Sequence, residues 1–137
     1  HILFVGNIND EYRNEFHDEL SHSSYPCTVC TQVNSDELVK LFNASDIAVY
    51  PAQATISTVE ASACSLPIIC TTEISERYKN GNGFGIDPGN LAQLKKYLAV
   101  LLLNRNLRET MGKKGREYVE NELSWEILSQ RFLALKS

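Results

Sequence analysis

The residues best suited to chemistry lie in the stretch YPAQATISTVEASACSLPIICT, residues 50–71. Its one acid, Glu60, follows Ser57 by three positions, the S-x-x-E spacing of a helix N-terminus. Residues 52–56 ahead of it are mostly small or polar, which lets backbone approach a ligand closely. An apolar run ends at Tyr50-Pro51 before this loop, and Ile68-Ile69-Cys70 follows the helix as a buried-strand run. A strand, a tight loop and a helix N-terminus in that order form an anion cradle in open α/β sheets. Unpaired N–H groups and the helix dipole there both favour negative charge. The same spacing also has a local reading. Glu60 can be the capping-box partner of Ser57, with Ser57 and Thr58 as simple cap residues.

A second constellation is Cys27-x-x-Cys30, followed later by Cys64 and Cys70, which raises the question of zinc. Residues three apart on a strand point to opposite faces, so these two thiols diverge instead of converging on one ion. No metal is expected. The cysteines read as reduced strand thiols, and with them comes the expectation of a cytoplasmic location.

The periodicity supplies a scaffold for these residues. Strand-like runs occur at 2–5, 25–31, 47–50, 68–71 and 84–86, the first ending at Gly6. Between them, Tyr12, Phe16 and Leu20 predict an amphipathic helix over 11–20. Asn34 and Glu37 predict a capping box for a helix with Leu38, Leu41 and Phe42 on its buried stripe. Leu66-Pro67 stops the helix that starts at Ser57, and 73–78 can form a short helix. Asp87-Pro88-Gly89 is a turn in which Pro presets one dihedral and Gly permits positive φ.

From Asn90 the pattern is helical, with Leu91, Leu94, Leu98, Leu101 and Leu102 inward. Residues 104–106 break it, and 107–121 continue with Met111 and Tyr118 inward. A terminal helix is predicted over 124–136, with Ser124 as N-cap and Leu123 and Leu128 as its staple. Its apolar face is Ile127, Leu128, Phe132 and Leu135, and Trp125 reads as packed against its start. Strands alternating with helices predict an α/β fold with a doubly wound parallel sheet, ligand at the carboxyl ends of its strands, and C-terminal helices.

At 137 residues the chain reads as a single domain, 1–137, able to bury a core without disulfides or metals. Hydrophobic residues make up 43% and charged residues 22%, as in soluble globular proteins. The net charge of −4 and scattered Lys and Arg argue against a nucleic-acid or anionic-membrane surface. No apolar run approaches the length needed to span a bilayer. Because the chain opens inside a strand-like run, it is expected to be a piece of a longer protein.

The segments ILFVG, VNSDELVKLFNASDIAVYP, STVEASACSLPII, NGFGIDPGN and LSWE occur in that order. Together they resemble the carboxy-terminal, donor-binding domain of a GT-B fold glycosyltransferase, of the group called family four or glycosyl transferases group 1. The resemblance covers nearly the whole chain. EASACSLPII, similar to an E-A-x-A-x-G-x-P-V-V signature, is its most specific piece.

The resemblance implies a Rossmann-like half of a glycosyltransferase that moves sugar from a nucleotide-sugar, such as a UDP- or GDP-sugar, to an acceptor hydroxyl, with retention and without metal. It implies that Glu60 holds the ribose hydroxyls, since an ionised acid can accept two hydrogen bonds from a vicinal diol. The backbone around Ile56, Ser57 and Thr58 would face the diphosphate, and Gln53, Ala54 and Thr55 the sugar. Thr31-Gln32-Val33 matches the family's G-x-V turn, which puts Val33 and Leu38 beside the base, with core packing as the alternative for Val33. Gly6 matches the glycine that ends a strand near the donor.

Two departures stand out. The family's first acid falls at Ala52, eight positions before Glu60 and followed by Gln53, so either sugar recognition is altered or the motif is degenerate. The family's diphosphate-neutralising Arg and Lys, with a first strand-helix unit and the amino-terminal acceptor domain, precede the segment matching 2–6. The expectation is therefore a fragment that is inactive alone and peripheral to a membrane at most through the missing domain.

The alternatives are another GT-B enzyme such as a nucleotide-sugar epimerase, or a non-catalytic nucleotide-binding or structural α/β module. A Rossmann dehydrogenase is disfavoured, because Gly6 is not followed by G-x-x-G.

Overall fold

The computed structural model describes residues 1–52, 55–73 and 78–135. They form two compact units, His1–Leu38 and Val39–Ser137.

In the first unit β1 (Ile2–Val5) and β2 (Cys27–Cys30) pair in parallel, from Ile2 opposite Cys27 to Val5 opposite Cys30. The connection between them contains α1 (Arg13–Ser21). Phe16 on α1 meets Phe4 on β1 edge to face at 5.1 Å, so the one large aromatic of each element closes this small layer. The predicted start of this helix needs correction. Asn9 accepts from the Glu11 N–H and opens a 3-10 turn, Asp10–Tyr12, before α1 begins. That turn takes Tyr12 off the helical period, and its ring is exposed.

The helix α2 (Ser35–Asn43) starts as its sequence predicts. Asn34 Oδ1 accepts from the Glu37 N–H, and Glu37 Oε2 accepts from the Asn34 N–H, both at 3.0 Å.

In the second unit β3 (Ala48–Tyr50), β4 (Ile68–Thr71) and β5 (Gly83–Ile86) form a parallel sheet in that order. All four residues of the central strand are buried. Successive side chains leave a strand on opposite faces. Ile68 and Cys70 therefore pack with Ala48, with Ala61 of α3 (Ser57–Ala63) and with Leu66. Ile69 packs on the other face with Ile86, with Leu101 of α4 (Leu91–Leu103) and with Met111 of α5 (Arg105–Tyr118). Helices thus cover both faces of this sheet, as the doubly wound reading requires. Among the described residues the five strands make two parallel sheets, β1-β2 and β3-β4-β5.

The helices bear out the predicted cap at Ser124, add two caps that were not predicted, and correct two predicted faces. Asn90 caps α4 and Asn104 caps α5, each side-chain oxygen accepting an N–H three residues on. Leu91 and Leu102 point outward; α4 packs through Leu94, Tyr97, Leu98 and Leu101. Phe84 of β5 stacks on Tyr97 at 4.3 Å, and this aromatic pair takes the place the sequence assigned to leucines. Beyond a π-helical turn, Val119–Leu123, Ser124 caps α6 (Trp125–Ala134). Its expected apolar face is only partly buried: Ile127 is half-buried, Leu128, Phe132 and Leu135 are exposed, and Trp125 is 85% exposed instead of packed. The short helix expected over 73–78 lies largely outside the described residues.

The end of α3 carries a tight constraint. Ser65 has φ +60°, and the Leu66 N–H reaches back to Ala61 O at 3.0 Å, the long-range bond of a Schellman-type stop. A left-handed serine costs about 1 kcal/mol relative to glycine. Against this turn packs Gly112 of α5, where an added Cβ would lie 1.9 Å from Ser65 O. Replacing Ser65 by Gly is expected to stabilise the fold by about 0.5–1 kcal/mol. Gly112→Ala is expected to destabilise it by about 1–3 kcal/mol. Urea unfolding of both variants checks the pair, and an unchanged midpoint for Gly112→Ala would contradict the packing.

Candidate functional site

The carboxyl ends of β3, β4 and β5 form one rim of the second unit, and the loop from Pro51 to α3 leaves from it. The chain turns sharply into α3 because threonine hydroxyls compete well for nearby carbonyls. The Thr58 hydroxyl and N–H both donate to Thr55 O, at 2.7 and 3.1 Å. Thr55 Oγ1 and Ser57 Oγ share a hydrogen at 2.6 Å. The Val59 and Glu60 N–H groups both turn to Ile56 O.

This arrangement replaces the capping box expected from S-x-x-E. Ile56, in a helical conformation, is the residue at the cap position, and among the described residues no side chain caps the helix. Ser57 is already inside the first turn, and its hydroxyl is engaged with Thr55. Glu60 is consequently free of that local role. Its side chain is exposed, and among the described residues it accepts no hydrogen bond and joins no ion pair.

Each predicted site residue can now be placed. Gln53 and Ala54 lie outside the described residues, and Ala52 is exposed. Thr55, Ser57 and Thr58 are joined in the turn, with Ile56 exposed at its apex. Thr58 is 1% exposed and spends both of its donors on Thr55, so it shapes the turn and presents no donor to a ligand. The Ile56 and Ser57 N–H groups have no partner among the described residues.

Gly6, Val33 and Leu38 belong to the first unit. Gly6 has φ +134° and extends the β1-β2 ladder through its N–H to Cys30 O at 3.0 Å. Gln32 takes the left-handed conformation at φ +56°, leading into Val33, and Val33 and Leu38 are both half-buried.

Two features of the rim were not anticipated. Tyr50, the last residue of β3, donates its hydroxyl to Ser57 O at 2.8 Å. At the end of β5, the Asp87 N–H donates to Gln93 Oε1 at 2.7 Å while Gln93 Nε2 donates to Asp87 Oδ2 at 2.9 Å. The second had a legible signal, since Gln93 stands three residues after the cap Asn90. Its side chain passes the cap and reaches the preceding turn. The first had only a tyrosine at the close of an apolar run.

Elsewhere a shallow depression of about 480 Å³ lies over α5, lined by Ser65, Lys113, Arg116 and three glutamates. It is away from the strand ends, and Arg116 there donates to Ala63 O at 3.4 Å and to Glu120 at 2.7 Å. Burial pushes the Cys64 thiol up, against the pull of Arg116, so Cys64 stays a neutral thiol.

Comparison with known proteins adds what geometry alone does not. Residues 1–118 match the family described as glycosyl transferases group 1. The chain belongs to that family. Among its relatives is the capsular polysaccharide biosynthesis glycosyltransferase CapM of Staphylococcus aureus. It is 28% identical over 134 residues, which covers 93% of this chain and 35% of that protein. A GDP-mannose-dependent monoacylated alpha-(1-6)-phosphatidylinositol monomannoside mannosyltransferase of Corynebacterium glutamicum is 30% identical over 107 residues, or 69% of this chain and 28% of that one.

Solved structures share the fold. The sucrose-phosphate synthase of Thermosynechococcus elongatus superposes with a TM-score of 0.83 at 21% identity, covering 98% of this chain and 37% of that one. WaaG, a glycosyltransferase involved in lipopolysaccharide biosynthesis, gives 0.75 at 20% identity, covering 94% and 36%. The α/β architecture is therefore that of GT-B glycosyltransferases. The chain spans about a third of the length of CapM and of both solved structures. Among the described residues no helix is long and apolar enough to cross a membrane.

Tyr50 yields a test of the site's framework. Burial pushes its phenol up to about 12 from the ordinary 10.0, and the neighbouring Glu60 carboxylate adds to the rise. An unfolded chain releases this proton near 10 and the folded chain near 12. The contribution of the neutral phenol is therefore complete below the lower value and is lost as pH rises toward the higher one. Unfolding free energy measured upward from pH 9 is expected to fall more steeply for the natural protein than for Tyr50→Phe. Parallel slopes would show that the phenol is not held neutral by the fold.

Proposed function

We propose that this chain is the donor-binding part of a glycosyltransferase that moves a sugar from a nucleotide-sugar to an acceptor hydroxyl, with retention at the anomeric carbon. The observation that carries this reading is the exposed carboxylate of Glu60, without a hydrogen-bond or ion-pair partner among the described residues, one turn into the helix that follows the β3 loop. Family membership supports it, as do relatives whose names specify glycosyl transfer and, in one case, a GDP-mannose donor.

In this reading Glu60 accepts hydrogen bonds from both ribose hydroxyls of the nucleotide. The Ile56 and Ser57 N–H groups face the diphosphate, and Thr58 braces the turn from within. The departing diphosphate gathers charge in the transition state, and fixed N–H dipoles stabilise it without reorganising. Basic side chains from outside this stretch complete the neutralisation, so no metal is needed. The family resemblance assigns Gln53, Ala54 and Thr55 to the sugar, Val33 and Leu38 to the base and Gly6 to the donor loop. The acceptor is bound by a further domain of the same protein, for which the chain's share of its relatives' length leaves room. The protein acts in the cytoplasm.

One observation favours a second reading, a nucleotide-binding module without transfer activity. Ala52 is exposed where the family places a sugar-contacting acid. A transfer assay on the full-length protein with UDP-, GDP- and ADP-sugars separates the two. Nucleotide binding without donor turnover would select the module.

Glu60→Ala is expected to weaken nucleotide affinity by about 1–3 kcal/mol, the scale of hydrogen bonds to a charged group. Calorimetric titration of the full-length protein with UDP, GDP and ADP checks this. An unchanged dissociation constant in a normally folded variant would reject the ribose role.

A further inference from the structure

We propose that Tyr50 is a positioning residue for the Glu60 site, its hydroxyl tying the turn that carries the carboxylate to the end of β3. This rests on the donor-binding reading above and extends it to a residue that reading does not use.

Among the described residues, few polar contacts tie that turn to the sheet. The helix α3 is seven residues long and, apart from Val59 and Glu60, built from small side chains, which offer a neighbour few ridges to grip. Its far end is gripped by α5: an added Cβ at Gly112 would strike Ser65 O, and one at Gly115 would come within 3.3 Å of Ser62 Cβ. Among the described residues no glycine contact of this kind grips its near end, where the buried Thr58 packs inward and the exposed face carries Glu60. The bonds from Thr58 to Thr55 and between Thr55 and Ser57 tie the turn to itself. They preserve its shape without fixing where it lies on the sheet.

Tyr50 supplies that fixation. Its ring packs against the buried cluster of Ala48, Ala61, Leu66, Ile68 and Cys70, so the hydroxyl starts from a rigid base. The hydroxyl donates to Ser57 O at 2.8 Å, bridging seven residues of chain across the loop. Ser57 and Glu60 are three apart on the helix and therefore lie on adjacent turns of one face. A phenol kept neutral through the physiological range can donate this bond continuously.

Removing the hydroxyl while keeping the ring isolates the tie. In the full-length protein, affinities are measured for UDP, GDP and ADP, and then for the tightest of these against its 2′-deoxy counterpart. A ribose grip by Glu60 makes the natural protein discriminate against the deoxy form, and Glu60→Ala removes that discrimination. Tyr50→Phe is expected to reduce the discrimination ratio about three- to tenfold, the scale of one neutral hydrogen bond. Tyr50→Met, which also lacks the hydroxyl, should do the same.

A purely structural role would weaken both nucleotides equally and leave the ratio intact. That result, in either folded variant, overturns the proposal while leaving the ribose reading standing. A natural protein that binds no nucleotide, or that does not discriminate, overturns both.

Discussion

The burial of β4 on both faces is the constraint from which the rest of this structure follows. Ile68 to Thr71 have no solvent side, so each face of the strand needs its own cover. Ile68 and Cys70 obtain theirs from α3 and the turn after it, and Ile69 from α4 and α5. A strand enclosed in this way accepts neither charge nor a one-residue slip, because a slip would exchange the two faces. Its neighbours inherit that rigidity through parallel pairing, from Ala48 opposite Ile68 to Thr71 opposite Ile86. The rim on which the candidate site stands is thereby fixed in position.

Close backbone contact keeps the α3 layer thin. Gly112 lies against the Ser65 turn, where a side chain would strike Ser65 O, and Gly115 lies beside Ser62. Ala61 and Ser62 on α3 continue the same economy of volume. The cost is a left-handed serine at the helix stop, which the Leu66 to Ala61 bond and the packing of α5 hold in place. A thin helix set close to the sheet is suited to carrying an acid near the strand ends, since its first turn stands beside the rim. Tyr50 adds a tie at that end, where the glycine contacts do not reach.

The polar atoms at the rim are used economically. Thr58 and Thr55 consume the donors that would otherwise lie idle beneath the turn, and the Asp87–Gln93 pair closes the chain after β5. Among the described residues, what stays open is the Glu60 carboxylate and the N–H groups of Ile56 and Ser57. Satisfied groups below and unsatisfied groups above are what separates a binding surface from a merely capped helix. The S-x-x-E pattern did not make this distinction, because a capping box and a free acid use the same letters.

Much of the fold was legible because its signals are local. The Asn34–Glu37 box, the caps at Asn90, Asn104 and Ser124, and the left-handed Gly89 each depend on residues within a few positions. The continuous apolar run at 68–71 could only suit a strand covered twice, and the signature around Glu60 pointed to the family. Tertiary structure decided what depends on partners distant in the chain. It turned Leu91 and Leu102 outward, gave their place to a Phe84–Tyr97 stack, and left most of the α6 stripe exposed. It also released Glu60 from Ser57 and joined Tyr50 to Ser57 O. Periodicity states which residues share a face; which face is buried, and which donor finds which acceptor, depends on what folds against it.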